Sequence, residues 1–172
     1  NIPKYVMVPG NAIKRHPVIE QRILDLAKLA ETFPYNVIEP GDRALGIITA
    51  GVAYQYAKEV FPTASILRLG MTWPLPEGLI RQFAATVDRL IVIEELDPFI
   101  EEAVRLMGLK VEGKSIFPLL GELDPRVVRE SAIAAGLLPA EAHVPLPEVE
   151  AIKLPPRPPV LCPGCPHRSS FY

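Results

Sequence analysis

Leu90-Ile91-Val92-Ile93-Glu94-Glu95-Leu96-Asp97-Pro98 holds, within nine residues, the transition that decides the fold. Four consecutive apolar residues suit a strand covered on both faces, because a strand with one wet face alternates apolar with polar. Asp97-Pro98 then reads as a helix start, a carboxylate N-cap followed by proline at the first helical position. Glu101 and Glu102 would face the positive end of that helix, Gly108 would end it, and Ile100, Ala103, Val104 and Met107 would form its core stripe.

The same strand-then-helix rhythm extends outward. Upstream, Ser65-Ile66-Leu67-Arg68-Leu69 predicts a strand ending at Gly70, followed by the loop Trp73-Pro74-Leu75-Pro76 and a helix from Leu79 to Val87. Earlier still, Ala44-Leu45-Gly46-Ile47-Ile48-Thr49 predicts a buried strand bounded by Gly41-Asp42 and Gly51, and a helix runs from Gly51 through Tyr56, Ala57 and Val60. Downstream, Lys110 to Glu112 offers a fourth short strand, and Asp124-Pro125 opens a last helix that runs to Gly136. Alternation of this kind predicts a three-layer α/β/α domain with a mostly parallel sheet, from about Asn36 to Leu138.

The flanks differ. Ile19, Ile23, Leu26, Ala27 and Ala30 recur at spacings of three and four, predicting an amphipathic helix from His16 to Phe33 that stops before Pro34. Between Leu138 and His167 fall nine prolines, the composition of an extended connector. The expected organisation is therefore a linker with a helix over 1–35, the α/β domain over 36–138, a proline-rich linker over 139–159, and the truncated start of a further domain over 160–172.

Composition excludes several classes. With 18 basic and 20 acidic residues the formal net charge is -2, which gives neither a nucleic-acid nor an anionic-membrane signature. The nearly uncharged run from Ala44 to Tyr54 is far short of the roughly 20 residues of a membrane span, and Asn1 is not followed by a signal-peptide pattern. A cytoplasmic location is expected, and the start without methionine suggests a piece of a longer protein.

Both cysteines lie in Cys162-Pro163-Gly164-Cys165-Pro166-His167-Arg168. A C-x2-C pair suits thiolate ligation of iron or zinc, or dithiol chemistry. Cys162, Cys165 and His167 do not complete a four-ligand site, so the other ligands would come from outside the chain; a small metal or redox module is one reading, and a Pro-Gly turn with buried cysteines is the plain one. At the carboxyl ends of the strands the sequence gathers Thr49, Arg68, Thr72, Glu94 and Glu95 on the sheet edge where ligands usually bind. Glu94 and Glu95 could act as a general acid/base pair or as an interface contact, or could serve only as solvated or ion-paired carboxylates. Neither a G-x-G-x-x-G turn nor a G-x-x-x-x-G-K-[ST] phosphate loop occurs. Trp73, large and apolar in a rigid loop, is either an interface anchor or a cover for the core. Lys14-Arg15-His16 is a short basic cluster, and His16 and His143 read as surface residues.

Four strings together resemble a known family: Lys4-Tyr5-Val6-Met7 with Lys14-Arg15-His16-Pro17, then Gly46-Ile47-Ile48-Thr49-Ala50-Gly51-Val52, then Val92 to Glu102, and above all Arg157 to Arg168. The chain resembles the α subunit of indolepyruvate ferredoxin oxidoreductase, a 2-oxoacid oxidoreductase. The resemblance implies a fold like the transketolase C-terminal domain, set between two thiamine-binding domains. It implies that the whole enzyme decarboxylates arylpyruvates oxidatively to acyl-CoA, using thiamine diphosphate, Mg2+ and [4Fe-4S] clusters, with coenzyme A and ferredoxin as co-substrates. Expected partners are the rest of the α subunit and a β subunit. For the segment itself the expectation is a structural and contact role, with no catalytic residue and no cofactor of its own. The family implies a cluster-ligating role for Cys162 and Cys165 in the intact subunit only.

Overall fold

A computed structural model describes residues 1–145 and 165. Its elements in chain order are α1 (Ile2–Tyr5), α2 (Pro9–Ala30), β1 (Val37–Glu39), β2 (Asp42–Ala50), α3 (Ala53–Val60), β3 (Ala64–Leu69), α4 (Glu77–Ala84), β4 (Leu90–Ile93), α5 (Phe99–Leu106) and α6 (Pro125–Ala134), followed by a 3-10 turn at Ala140–Ala142. Among the described residues the sheet has four strands in the order β1-β3-β2-β4. β2 runs parallel to both β3 and β4, and β1 is antiparallel to β3 at the edge. The architecture is the expected α/β one.

Two apolar layers cover the sheet. Ile47, Ile66, Ile91 and Ile93 pack with Ala57 and Val60 of α3 and Val128 and Ala132 of α6. Their sequence neighbours Ile48, Leu67, Leu90 and Val92 point the opposite way and pack with Ile80 and Phe83 of α4 and Ile100 and Val104 of α5. Because side chains alternate along a strand, a continuous apolar run such as 90–93 can fill both layers at once.

Several predicted boundaries move. The helix expected from His16 begins at Pro9, with Pro17 inside it. Proline at a first helical turn imitates a start signal, and here the helix continues upstream of it. β1 was not anticipated; it is three half-buried residues followed by Pro40, too short for a period to show. The strand expected at 110–112 shrinks to a single parallel bridge between Ile91 and Glu112. Gly51 does not open α3 but sits at φ 57, the left-handed region that glycine tolerates, and the helix starts at Ala53. Asp97 does not cap α5, whose N-cap position is Pro98 and whose first-turn amides take their acceptor from elsewhere. Asp124 does cap α6, accepting from Val127 N at 2.7 Å.

Candidate functional site at the carboxyl edge of the sheet

β2, β3 and β4 all point their carboxyl ends to one edge, and the candidate residues sit there with different employments. Thr49 is fully buried and donates its hydroxyl to Ile93 O at 2.9 Å, tying β2 to β4. Arg68, paired with Thr49 in the ladder, lies with its guanidinium 5.2 Å from the centre of the Tyr54 ring. Its Nε is buried and finds no hydrogen-bond partner among the described residues.

Glu94 turns toward the other layer. It is 9% exposed, and its two carboxylate oxygens accept from Ile100 N at 2.8 Å and Glu101 N at 3.0 Å. It therefore supplies the acceptor for the first turn of α5 that Asp97 was expected to provide. Burial pushes its pKa above the ordinary value of 4.5, against the opposing pull of the two amides and of Lys114. Glu95 is exposed and accepts from Leu123 N at 3.3 Å, fastening the loop before α6.

Lys114 and Glu101 complete the cluster. The Lys114 ammonium donates to Glu94 O, and its backbone N donates to Glu101 Oε2 at 2.8 Å. Burial depresses the Lys114 pKa, with the surrounding carboxylates pulling it back. Glu101, 1% exposed, is also paired with Arg105. Gly113 lies close beside it: a Cβ there would stand 2.4 Å from Glu101 Oε2 and would push that carboxylate aside. Sequence reasoning placed Glu101 on a helix dipole and missed Lys114, which lies 20 residues from Glu94; the buried Glu101 and Gly113-Lys114 give no local pattern that connects them.

A second cluster lies beside β1. Glu39 accepts from Tyr54 OH and Lys58 Nζ, each at 2.7 Å, which holds its carboxyl below the ordinary value, Lys58 being the larger cause. This fastens α3 to the edge strand.

Between α3 and α5 the edge opens into a hollow of about 340 Å³ lined in part by Gly51, Val52, Thr72, Glu94 and Phe99. Trp73 and Phe99 stand above it with ring centres 6.1 Å apart, 63% and 50% exposed. The expected edge residues are thus divided: Thr49 and Arg68 serve one layer, Glu94 the other, and Glu95 a loop. Both oxygens of the buried carboxylate are already committed to α5. Gly41-Asp42 does not offer a diphosphate cradle either, since a Cβ at Gly41 would meet Thr63 O at 2.3 Å and its amide donates to Ser65 Oγ at 3.0 Å. No group of three or more potential metal ligands occurs among the described residues. Of the cysteine heptad only Cys165 is described, half-buried; Cys162 and His167 lie outside the described residues. No helix among the described residues is long and apolar enough to cross a membrane.

Known proteins show what this chain is similar to. Indolepyruvate oxidoreductase subunit IorA of Archaeoglobus fulgidus is 39% identical over 178 residues, covering 97% of this chain and 29% of that protein. The chain is homologous to one segment of IorA. The IorA of Pyrococcus horikoshii is 34% identical over 190 residues, covering all of this chain and 29% of the relative, and that of Thermococcus kodakarensis is 33% identical over 187 residues. The chain thus spans less than a third of the curated IorA subunits it matches. No family model matches it. Among solved structures, 2-oxoglutarate:ferredoxin oxidoreductase from Magnetococcus marinus, with 2-oxoglutarate, coenzyme A and succinyl-CoA bound, aligns at a TM-score of 0.54. That alignment covers 74% of this chain and 24% of that one at 18% identity, a likeness of fold. The IorA-type segment therefore has the α/β fold found within a 2-oxoacid oxidoreductase.

Proposed function

We propose that this segment is the middle domain of an indolepyruvate ferredoxin oxidoreductase α subunit, and that its own work is to hold neighbouring domains and subunits in register. In this reading the whole enzyme decarboxylates arylpyruvates oxidatively to acyl-CoA, passing electrons to ferredoxin in the cytoplasm. Thiamine diphosphate, Mg2+ and [4Fe-4S] clusters reside in the intact assembly with the β subunit, and Cys162 and Cys165 ligate a cluster only there. The proposed division is 1–35 as a helical linker, 36–138 as the α/β domain, 139–159 as a proline-rich linker and 160–172 as the start of the diphosphate-binding domain.

One observation carries the structural half of the reading. Thr49, Glu94 and Glu95, three of the five polar residues expected at this edge, are each committed to a contact inside the domain. A buried carboxylate whose two oxygens each accept a helix amide is employed in holding that helix. The IorA relatives supply the support for the activity of the whole.

The test is turnover. The chain incubated with thiamine diphosphate, magnesium, indolepyruvate, coenzyme A and ferredoxin should produce no acyl-CoA, whereas the two-subunit enzyme containing this segment should. Substantial product from the chain alone would contradict the reading.

A further inference from the structure

The connection from β3 to α4 is held at both its ends by the C-terminal foot of one helix, α2. It leaves β3 after Leu69 and enters α4 at Glu77. At its start, one side-chain oxygen of Asn36 accepts from Gly70 N and Met71 N, both at 3.0 Å. The amide nitrogen of the same side chain donates to Ala30 O at 2.8 Å, on the last residue of α2. At the other end Glu31, which follows Ala30, accepts from Gly78 N and Leu79 N, both at 2.8 Å, one on each carboxylate oxygen. Those amides belong to the first turn of α4, whose own N-cap position is Pro76 and has no side-chain oxygen to offer. Four backbone donors of the connection thus end on two side chains of one helix foot.

A glycine marks the close approach at each end. A Cβ on Gly70 would stand 2.5 Å from Tyr35 Cβ and 2.8 Å from Tyr35 O, so the foot leaves no room for a side chain there. A Cβ on Gly78 would stand 2.9 Å from Glu31 Oε2, the movable end of a side chain. Between the two glycines the backbone is stiff, because Pro74 and Pro76 are buried and proline fixes φ. The same connection supplies one wall of the hollow at the carboxyl edge. Thr72 lines that hollow, and Trp73 lies 6.1 Å from Phe99, the first residue of α5. Glu94 at the end of β4 fastens the next residue of that helix, Ile100.

We propose that Asn36 and Glu31 clamp the β3–α4 connection as one body, so that the orientation of α2 sets where Thr72 and Trp73 stand at the carboxyl edge. Both act through the connection and are positioning residues. Such a clamp is reciprocal: each bonded end holds the geometry in which the other forms, so cutting either one loosens both. Two unconnected pairs of hydrogen bonds would loosen only where they are cut. The clamp consists of contacts inside the domain and does not depend on what covers the domain in a larger protein. In the proposed function it makes the helical linker the part that passes the placement of its neighbour to the edge. That extension alone rests on the reading of 1–35 as a linker.

Backbone 15N relaxation of the full 172-residue chain tests it, with circular dichroism confirming that each variant is folded. Order parameters at Met71, Thr72 and Trp73 should be about 0.85 in the unaltered chain, the value of rigid backbone. Asn36→Ala should bring them below about 0.6 and should also lower those of Gly78 and Leu79, whose acceptor is untouched. Glu31→Ala should act in the converse direction, loosening Met71 to Trp73 from the far end, and it gives the reading on its own if Asn36→Ala does not fold. Asn36→Asp keeps the accepting oxygen and gives up the bond to Ala30 O, so it should restore order to the connection. β2 and β4 should stay rigid in every variant. Loss of order confined to the cut end, a connection as rigid in the alanine variants as in the unaltered chain, or failure of Asn36→Asp to restore it would each overturn the proposal. All of these are read on the chain alone, whereas the activity of the larger enzyme is judged separately by turnover.

Discussion

α5 and α2 carry apolar stripes of the same kind, yet one is buried by the fold and the other is covered only towards its C-terminal foot, where Ile23, Leu26 and Ala27 are half-buried. α5 has eight residues, and its Ile100 and Val104 are 3% and 0% exposed beneath the sheet. α2 has 22 residues, and Ala30 alone among them is buried, while Ile13, Ile19 and Leu24 are 73%, 40% and 58% exposed. The fastenings differ in the same sense. α5 receives Glu94 at its first turn and α6 has Asp124, whereas the first turn of α2 has no side-chain cap and the helix is held at its C-terminal foot by Glu31 and Asn36. Periodicity states that an element has an apolar face. It does not state whether the partner for that face is in the same chain.

The largest expected effect separates the two regions by stability. Phe83 is fully buried in the layer beneath α4 and α5, so Phe83→Ala should cost about 3–5 kcal/mol in urea unfolding. Ile13→Ala, measured on dilute chain, should stay within about 0.5 kcal/mol. Comparable losses would break the comparison, because they would place the α2 face in the core.

Next comes the latch on α5. Glu94→Ala leaves two amides at the first turn without their acceptor and should cost about 1–3 kcal/mol. Glu94→Gln keeps a carbonyl acceptor without a buried charge and should cost less. If alanine and glutamine behaved alike, the hydrogen bonds would not be what holds the helix.

The smallest effect distinguishes two carboxylates by pH. The Glu94 pKa is raised in the fold, so the stability it contributes is fully present below pH 4.5 and is lost as pH rises through its folded value. The Glu39 pKa is lowered, chiefly by Lys58, so its contribution is present above pH 4.5 and is lost as pH falls. With the Glu39 and Lys58 side chains 26% and 43% exposed, solvent screening holds that contribution below about 1 kcal/mol. Thermal melts at about pH 7 and about pH 3.5 should therefore show Glu39→Gln more destabilised at the higher pH than at the lower. Glu94→Gln should compare more favourably with the unaltered chain at the higher pH than at the lower.

These contrasts mark where sequence reading succeeds and where it stops. Ile47-Ile48 and Leu90 to Ile93 announce central strands because a doubly covered strand has no polar face to hide. Asp124-Pro125 announces α6 because its cap is local in sequence. The capping of α5 was assigned to Asp97, one residue before Pro98, when the fold uses Glu94 at the end of β4. The reach of that side chain depends on how the strand delivers it, which spacing alone does not contain. The candidate edge shows the same limit. Its residue types were visible, but their employment inside the domain depends on Lys114 and Leu123, far along the chain.

Hydrogen exchange, followed residue by residue on dilute chain in high salt, tests the central contrast most directly. The account predicts that amides of residues 11–24 in α2 exchange orders of magnitude faster than those of β2 and β4, because none of these α2 residues is buried. Protection of α2 equal to that of the central strands under those conditions would contradict it.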